Sequence, residues 1–180
     1  MLAGELYNAG DPELQADLRA TQRWLARYNA ALGDTSAARR ELLLERLAAV
    51  GEGVEIWTPF HCDYGFNIRL GAGVFLNVNC VILDGLPVSI GDKTLIGPAV
   101  QILTADHPRD PAVRAAGLEF GRPISIGRNV WIGGGAIILP GVSIGDDALI
   151  GAGSVVTRDI PAGATAFGNP ARVQTKSASL

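Results

Sequence analysis

From residue 70 onward the aliphatic residues keep a fixed step. Leu70, Leu76 and Ile82 form one run, Ile90, Ile96 and Ile102 a second, and Ile126, Ile132, Ile138, Ile144, Ile150 and Val156 a third, each spaced by six. Glycine follows the aliphatic residue at Gly71, Gly91, Gly97, Gly127, Gly133, Gly145 and Gly151, and a small or β-branched residue stands four after it, as at Val74, Thr94, Val100, Val130, Ala136, Val142, Ala148 and Ser154. In an extended chain an even step keeps side chains on one side, whereas on a helix six residues rotate them by about 240°. The repeat therefore predicts short strands broken by a turn every six residues. Three hexads make one eighteen-residue coil of a parallel β-helix, with the aliphatic residues stacked inside and the glycines expected to permit the corners. A β-sandwich has turns roughly every 8–12 residues and gives no reason for a fixed step of six.

Two breaks in the period stand out. Ile82 to Ile90 is a step of eight, which predicts two residues bulging outward around Asp84-Gly85-Leu86-Pro87. Residues 104–123 lack the pattern, yet Ile102 to Ile126 is twenty-four, so the segment reads as an excursion loop that returns in phase. Long loops in compact domains are commonly functional or disordered. Cys62 and Cys80 lie eighteen apart, one coil, and are expected to stack on adjacent rungs as small inward residues; a disulfide between them would need an oxidising compartment.

Residues 1–53 follow a different rule. Asp11-Pro12-Glu13 has the features of a helix start, and Leu14, Leu18, Thr21, Leu25 and Tyr28 follow at helical spacing. A second helix is predicted over residues 36–49, with Leu43, Leu47 and Val50 on one side and Gly51 beyond its end. The expected organisation is a helical cap over 1–53 docked on a coil over 54–173, with the excursion loop at 104–123 and a flexible tail at 174–180.

Composition narrows the picture. The 180 residues include 23 glycines and 10 prolines with 6% aromatics, which excludes a helix bundle or an aromatic-filled core; 48% hydrophobic and 18% charged residues exclude disorder. A net charge of −3 offers no global attraction to nucleic acid or an anionic membrane, so an anionic ligand has to be held locally. The start Met1-Leu-Ala-Gly-Glu-Leu-Tyr-Asn has no basic or apolar leader pattern, and the longest uncharged stretch is interrupted by glycines and a proline. Neither a signal peptide nor a membrane span is expected, and a reduced cytoplasmic setting is the default.

Only two histidines are present, His61 and His107. A zinc site of the three-histidine kind cannot be supplied, and no metal is expected. His107 sits on the excursion loop, free of any packing duty set by the period. On spacing alone it is either a general base for neutral pH or an ordinary loop histidine. His61 is expected to be structural.

The hexads, the loop Ala105-Asp106-His107-Pro108, the run Asn129-Val-Trp-Ile-Gly-Gly-Gly-Ala136, and the closing Val155-Val-Thr-Arg-Asp-Ile-Pro161 with Gly168-Asn-Pro-Ala-Arg172 resemble the hexapeptide-repeat O-acetyltransferases. Met1-Leu-Ala-Gly-Glu-Leu-Tyr7 and Asp11-Pro-Glu-Leu14 are similar to the helical cap of the maltose and galactoside acetyltransferase branch, shared with nodulation acetyltransferases. The resemblance implies a left-handed coil, a homotrimer with three active sites at subunit clefts, and acetyl-CoA lying along the coil. It assigns Trp131, Gly134, Ala152, Thr157, Arg158 and Arg172 to the cofactor, with a cleft wall and a core or trimer contact as the two readings of Trp131. Matching also makes His107 the general base for a sugar hydroxyl that attacks the thioester directly, without an acyl-enzyme, and makes Asn77 an active-site amide. Asp63, Asp84, Gly85 and Asn8 fall at acceptor-contacting positions; at Asn8 and Gly85 a carboxylate found in relatives is missing. A non-sugar acceptor, such as an amino acid or antibiotic, and a non-catalytic trimeric binding module are the alternatives.

Overall fold

The computed structural model describes residues 1–174. The predicted coil is present as a three-sided prism of parallel strands. One face runs through Ala49–Val50, Ile68–Leu70, Val88–Ile90, Ile124–Ile126 and Ser143–Ile144. The second runs through Glu55–Ile56, Phe75–Leu76, Leu95–Ile96, Trp131–Ile132, Leu149–Ile150 and Thr165–Gly168, and the third through His61–Cys62, Val81–Leu83, Gln101–Leu103, Ile137–Ile138 and Val155–Val156. Each face places one inward column in register: Leu70, Ile90, Ile126 and Ile144; Leu76, Ile96, Ile132 and Ile150; Ile82, Ile102, Ile138 and Val156. Every one of these side chains is at most 3% exposed. Burial of stacked aliphatic surface is what selects this register, because a slip of one residue turns a whole column outward.

The prism starts earlier than the hexads suggest. Val50, Ile56 and Cys62 extend the three columns by one coil, paired with Leu70, Leu76 and Ile82. This coil is disguised because the corner from Cys62 to Leu70 also takes eight residues and stacks beneath the wide corner of the next coil. Two consequences correct the expectations. Cys62 lies opposite Ile82 and not Cys80; both thiols are buried and free. The wide corner does not bulge outward either, since Asp84, Gly85 and Leu86 are buried.

The glycines also act differently from expectation. The left-handed corner position is two residues further on, at Gly73, Lys93, Ala99, Asn129, Gly135, Asp147 and Gly153. Gly97 and Gly133 are needed for close approach: a Cβ would lie 2.6 Å from the Gly134 nitrogen and 2.5 Å from the Ala152 nitrogen, respectively, in the next coil.

Helix α1 (Pro12–Ala30) begins where predicted, the Asp11 side chain accepting from the Glu13 N–H. Helix α2 (Ser36–Arg46) stops short of residue 49, because Ala49–Val50 is drawn into the first face and the Ala48 N–H donates to the Ile68 carbonyl. Trp24, Leu25 and Tyr28 of α1, with Leu43 of α2 and the following Leu47, join the prism core and plug its open end. Tyr28 donates to the Ile56 carbonyl, and Asn29 bonds both the N–H and the carbonyl of Phe60. At the other end Ala171–Val173 turns back antiparallel on Thr165–Gly168, and the Gln174 N–H donates to the Thr165 carbonyl. The rest of the expected tail lies outside the described residues.

The excursion is an ordered appendage. Thr104 bridges Leu83 and Leu86, Ala105–Asp106 pairs antiparallel with Leu118–Gly121, and helix α3 (Pro111–Ala115) lies between them. Leu118–Gly121 also pairs with Tyr7–Asn8 of the cap. Ile124–Ile126 then re-enters the first face opposite Val88–Ile90, in phase as expected.

Candidate active site

The edge between the second and third faces is lined by Trp57, Asn77, Gly97, Gly133 and Gly151, one above another, each N–H donating to a carbonyl of the following rung. Three glycines in a row leave a groove of about 450 Å³, bordered by Asn77, Pro98, Trp131, Gly134 and Ala152. Asn77 Oδ1 accepts from the Val78 N–H at 2.8 Å, an orientation that leaves the amide NH2 group as a donor for a ligand. Trp131 is 56% exposed on the second face, between Leu95 and Leu149 in register. It is a wall of the groove and not part of the chain's own core. Gly133 and Gly134 border the groove, whereas Gly135 serves the corner with φ of 70°.

A second group forms at the edge between the third and first faces. Asp84 is fully buried, and its carboxylate accepts from the backbone N–H groups of Asp63, Tyr64 and Asn67. Burial raises its carboxyl above the usual range against the pull of these bonds. Asp84 thus supports the loop below it and is not an acceptor contact. Gly85 is buried near the Tyr7 hydroxyl and offers no side chain to a ligand. Asp63 is half-buried; burial first, then the charges of Asp84 and Glu119, push its carboxyl up to about 6. Glu119 accepts from the Tyr7 hydroxyl at 2.9 Å and completes a polar cluster that the hexad spacing does not reveal. Asn8 is exposed on the neighbouring strand position, with its side-chain oxygen held by the Gly10 N–H.

His107 leaves this same edge, exposed at the end of Ala105–Asp106. His61 is exposed on the third face and bonds through its backbone to Cys80. Among the cofactor candidates, Trp131, Gly134 and Ala152 share the groove, and Arg172 is exposed on the closing hairpin of the second face, opposite Phe167. Thr157 and Arg158 are exposed on the last coil at the edge from which His107 departs. One chain therefore keeps Asn77 and His107 on two different edges of the prism.

Two family motifs match the chain: the maltose acetyltransferase hexapeptide capping motif over residues 1–51, and the bacterial transferase hexapeptide (six repeats) over residues 123–158. The nodulation protein L of Rhizobium leguminosarum bv. viciae is 70% identical over 97% of this chain and 92% of that protein. The crystal structure of a maltose O-acetyltransferase from Clostridium difficile 630 superposes with a TM-score of 0.95 at 43% identity, covering 97% of this chain and 94% of the other. A galactoside acetyltransferase solved in complex with coenzyme A superposes at 0.92 with 38% identity, covering 96% and 86%.

Proposed function

Because the chain belongs to the hexapeptide-repeat acetyltransferases, in the maltose and galactoside O-acetyltransferase branch, we propose that it moves acetyl from acetyl-CoA to a sugar hydroxyl with His107 as general base. The residues fit the donor. A groove kept open by stacked glycines admits a thin pantetheine arm, and Arg158 and Arg172 offer fixed positive charge for phosphates on a chain whose net charge is −3. Acetyl-CoA supplies a thioester carbonyl open to attack and a thiolate leaving group.

The chain's own residues supply the rest. Asp63, Glu119 and the Tyr7 hydroxyl oxygen offer acceptors that hold and orient sugar hydroxyls. His107 takes the proton from the reacting hydroxyl as its oxygen bonds to the acetyl carbon; the carbon–sulfur bond breaks, and the imidazolium returns the proton to the departing sulfur. Asn77 donates its amide NH2 to the carbonyl oxygen as negative charge builds there.

One observation carries this reading: Asn77 and the glycine-lined groove sit on one edge of the prism, whereas His107, with Thr157 and Arg158, sits on another. They meet when the Asn77 edge of one copy faces the His107 edge of another, and in a three-fold ring every copy gives both edges to produce three equivalent clefts. His107→Ala is expected to lower turnover by at least roughly a hundredfold while leaving acetyl-CoA binding and the oligomer intact, read by thiol release across a panel of sugars and amino alcohols. Near-normal thiol release by that variant overturns the base assignment, and release with amino alcohols alone overturns the sugar acceptor.

A further inference from the structure

The loop that carries His107 has little apolar support. No side chain between residues 105 and 120 is buried, and α3 contributes none. Beyond the strand pairing of Leu118–Gly121 with Ala105–Asp106 and Tyr7–Asn8, its order comes from polar bonds made within the loop. Asp106 Oδ1 accepts the backbone N–H of His107 at 2.8 Å, and the Arg109 guanidinium forks onto both Asp106 oxygens at 2.7 and 3.0 Å. The same Arg109 Nη1 also donates to the His107 carbonyl at 2.7 Å. Two side chains thus close a ring around the His107 main chain, bonding it on both sides. Arg114 extends the arrangement by donating to the carbonyls of Pro108 and Arg109.

An exposed ion pair adds little to stability when both partners are free to move. Here one partner is not: Asp106 is half-buried and pinned by the pairing of Ala105–Asp106 with Phe120 and Gly121. A bidentate fork onto a fixed carboxylate supplies direction, because the guanidinium has one plane in which both bonds form. Arg109 and the His107 N–H hold the Asp106 carboxyl below its ordinary range, so the clamp stays charged at neutral pH. Both carboxylate oxygens are engaged, and the action of Asp106 falls on the main chain and not on the imidazole.

We propose that Asp106 and Arg109 are positioning residues that fix the main chain of His107 and thereby aim its imidazole into the cleft. The proposal rests on His107 being the general base. A misplacement of about 1 Å at a catalytic group can cost on the order of a hundredfold in rate.

The test compares Asp106→Ala, Asp106→Asn, Arg109→Ala and Arg109→Lys in the full-length protein, measuring kcat, KM for acetyl-CoA, thermal unfolding, and amide hydrogen exchange over residues 105–110. With Asp106→Ala and Arg109→Ala, exchange in the loop is expected to quicken and kcat to fall roughly ten- to a hundredfold, with KM for acetyl-CoA within about twofold and the melting temperature unchanged. Asp106→Asn keeps an acceptor for the His107 N–H and is expected to recover part of the rate; Arg109→Lys keeps the charge without the fork and is expected not to. In a His107→Ala background, Asp106→Ala is expected to cause no further loss. Unchanged exchange in Asp106→Ala overturns the clamp, and quickened exchange with an unchanged kcat overturns its positioning role. Near-normal turnover by His107→Ala alone overturns the base assignment instead, a failure that the exchange data keep separate from failure of the clamp.

Discussion

Asp63 joins site chemistry to stability in one side chain. Its carboxyl, ordinarily titrating at 3.8, is pushed up to about 6 by burial and by the neighbouring charges of Asp84 and Glu119. A raised acid holds its proton more tightly in the folded chain than in the unfolded one. Its contribution to stability is therefore full below its ordinary value of 3.8 and lost as pH rises through about 6. Asp63→Asn removes that loss. Unfolding midpoints of the two proteins should converge at the acid end and separate toward neutral pH, the variant being more stable there by about 1–2 kcal/mol after allowance for partial solvent screening. A gap that stays constant with pH would remove the buried charge from the account. The same substitution should raise KM for the sugar, since a residue placed to bind substrate commonly costs stability. Asp63 was singled out by its match to a family position, and the fold leaves it half-buried beside Glu119. Asp84 and Gly85 shared that match but are covered in the fold, because the wide corner they form is tucked beneath Tyr7 and the excursion loop. Glu119 was not legible, since it falls outside the hexads and reaches the cluster only through strand pairing with Tyr7.

At the level of elements, periodicity identified what repeats and missed what the repeat displaces. The columns and the in-phase return at Ile124 follow from an even step and the burial of stacked aliphatics. Of the first coil only Ala49–Val50 lies outside the expected 54–173: it was read as the end of α2, which lost its predicted last residues to strand pairing that outweighed local helix preference. Docking of the cap on the prism depends on a few specific bonds as well as apolar contact. Asn29 satisfies both backbone groups of Phe60, whose side chain is fully buried. Asn29→Ala is expected to lower unfolding stability in urea by roughly 1–3 kcal/mol while leaving kcat of the folded protein unchanged. A loss of activity without loss of stability would contradict a purely supporting role for this contact.

At the scale of the whole molecule, the separation of Asn77 and His107 onto different edges makes a quantitative demand. If each site takes Asn77 from one subunit and His107 from its neighbour, two dead variants can rescue each other. In a trimer randomly assembled from equal amounts of Asn77→Ala and His107→Ala chains, about three quarters of the assemblies are mixed and each mixed ring holds one intact site, giving about a quarter of wild-type activity. Complementation absent from verified mixed trimers would place both residues of a site in one chain. The family resemblance implies sites at subunit clefts, but hexad spacing assigns a residue to a rung without saying on which edge the off-period His107 leaves the prism relative to Asn77. The two ends of the prism have a different consequence. A stack of parallel rungs is a template on which further rungs can add, as in a growing fibril. Here α1 closes the first rung, and at the far end of the second face Ala171–Val173 runs against the grain of the strands below it. The hairpin that carries Arg172 thus covers the last parallel rung of that face with a short strand of opposite direction, so a second prism cannot stack there in the parallel register of the coils.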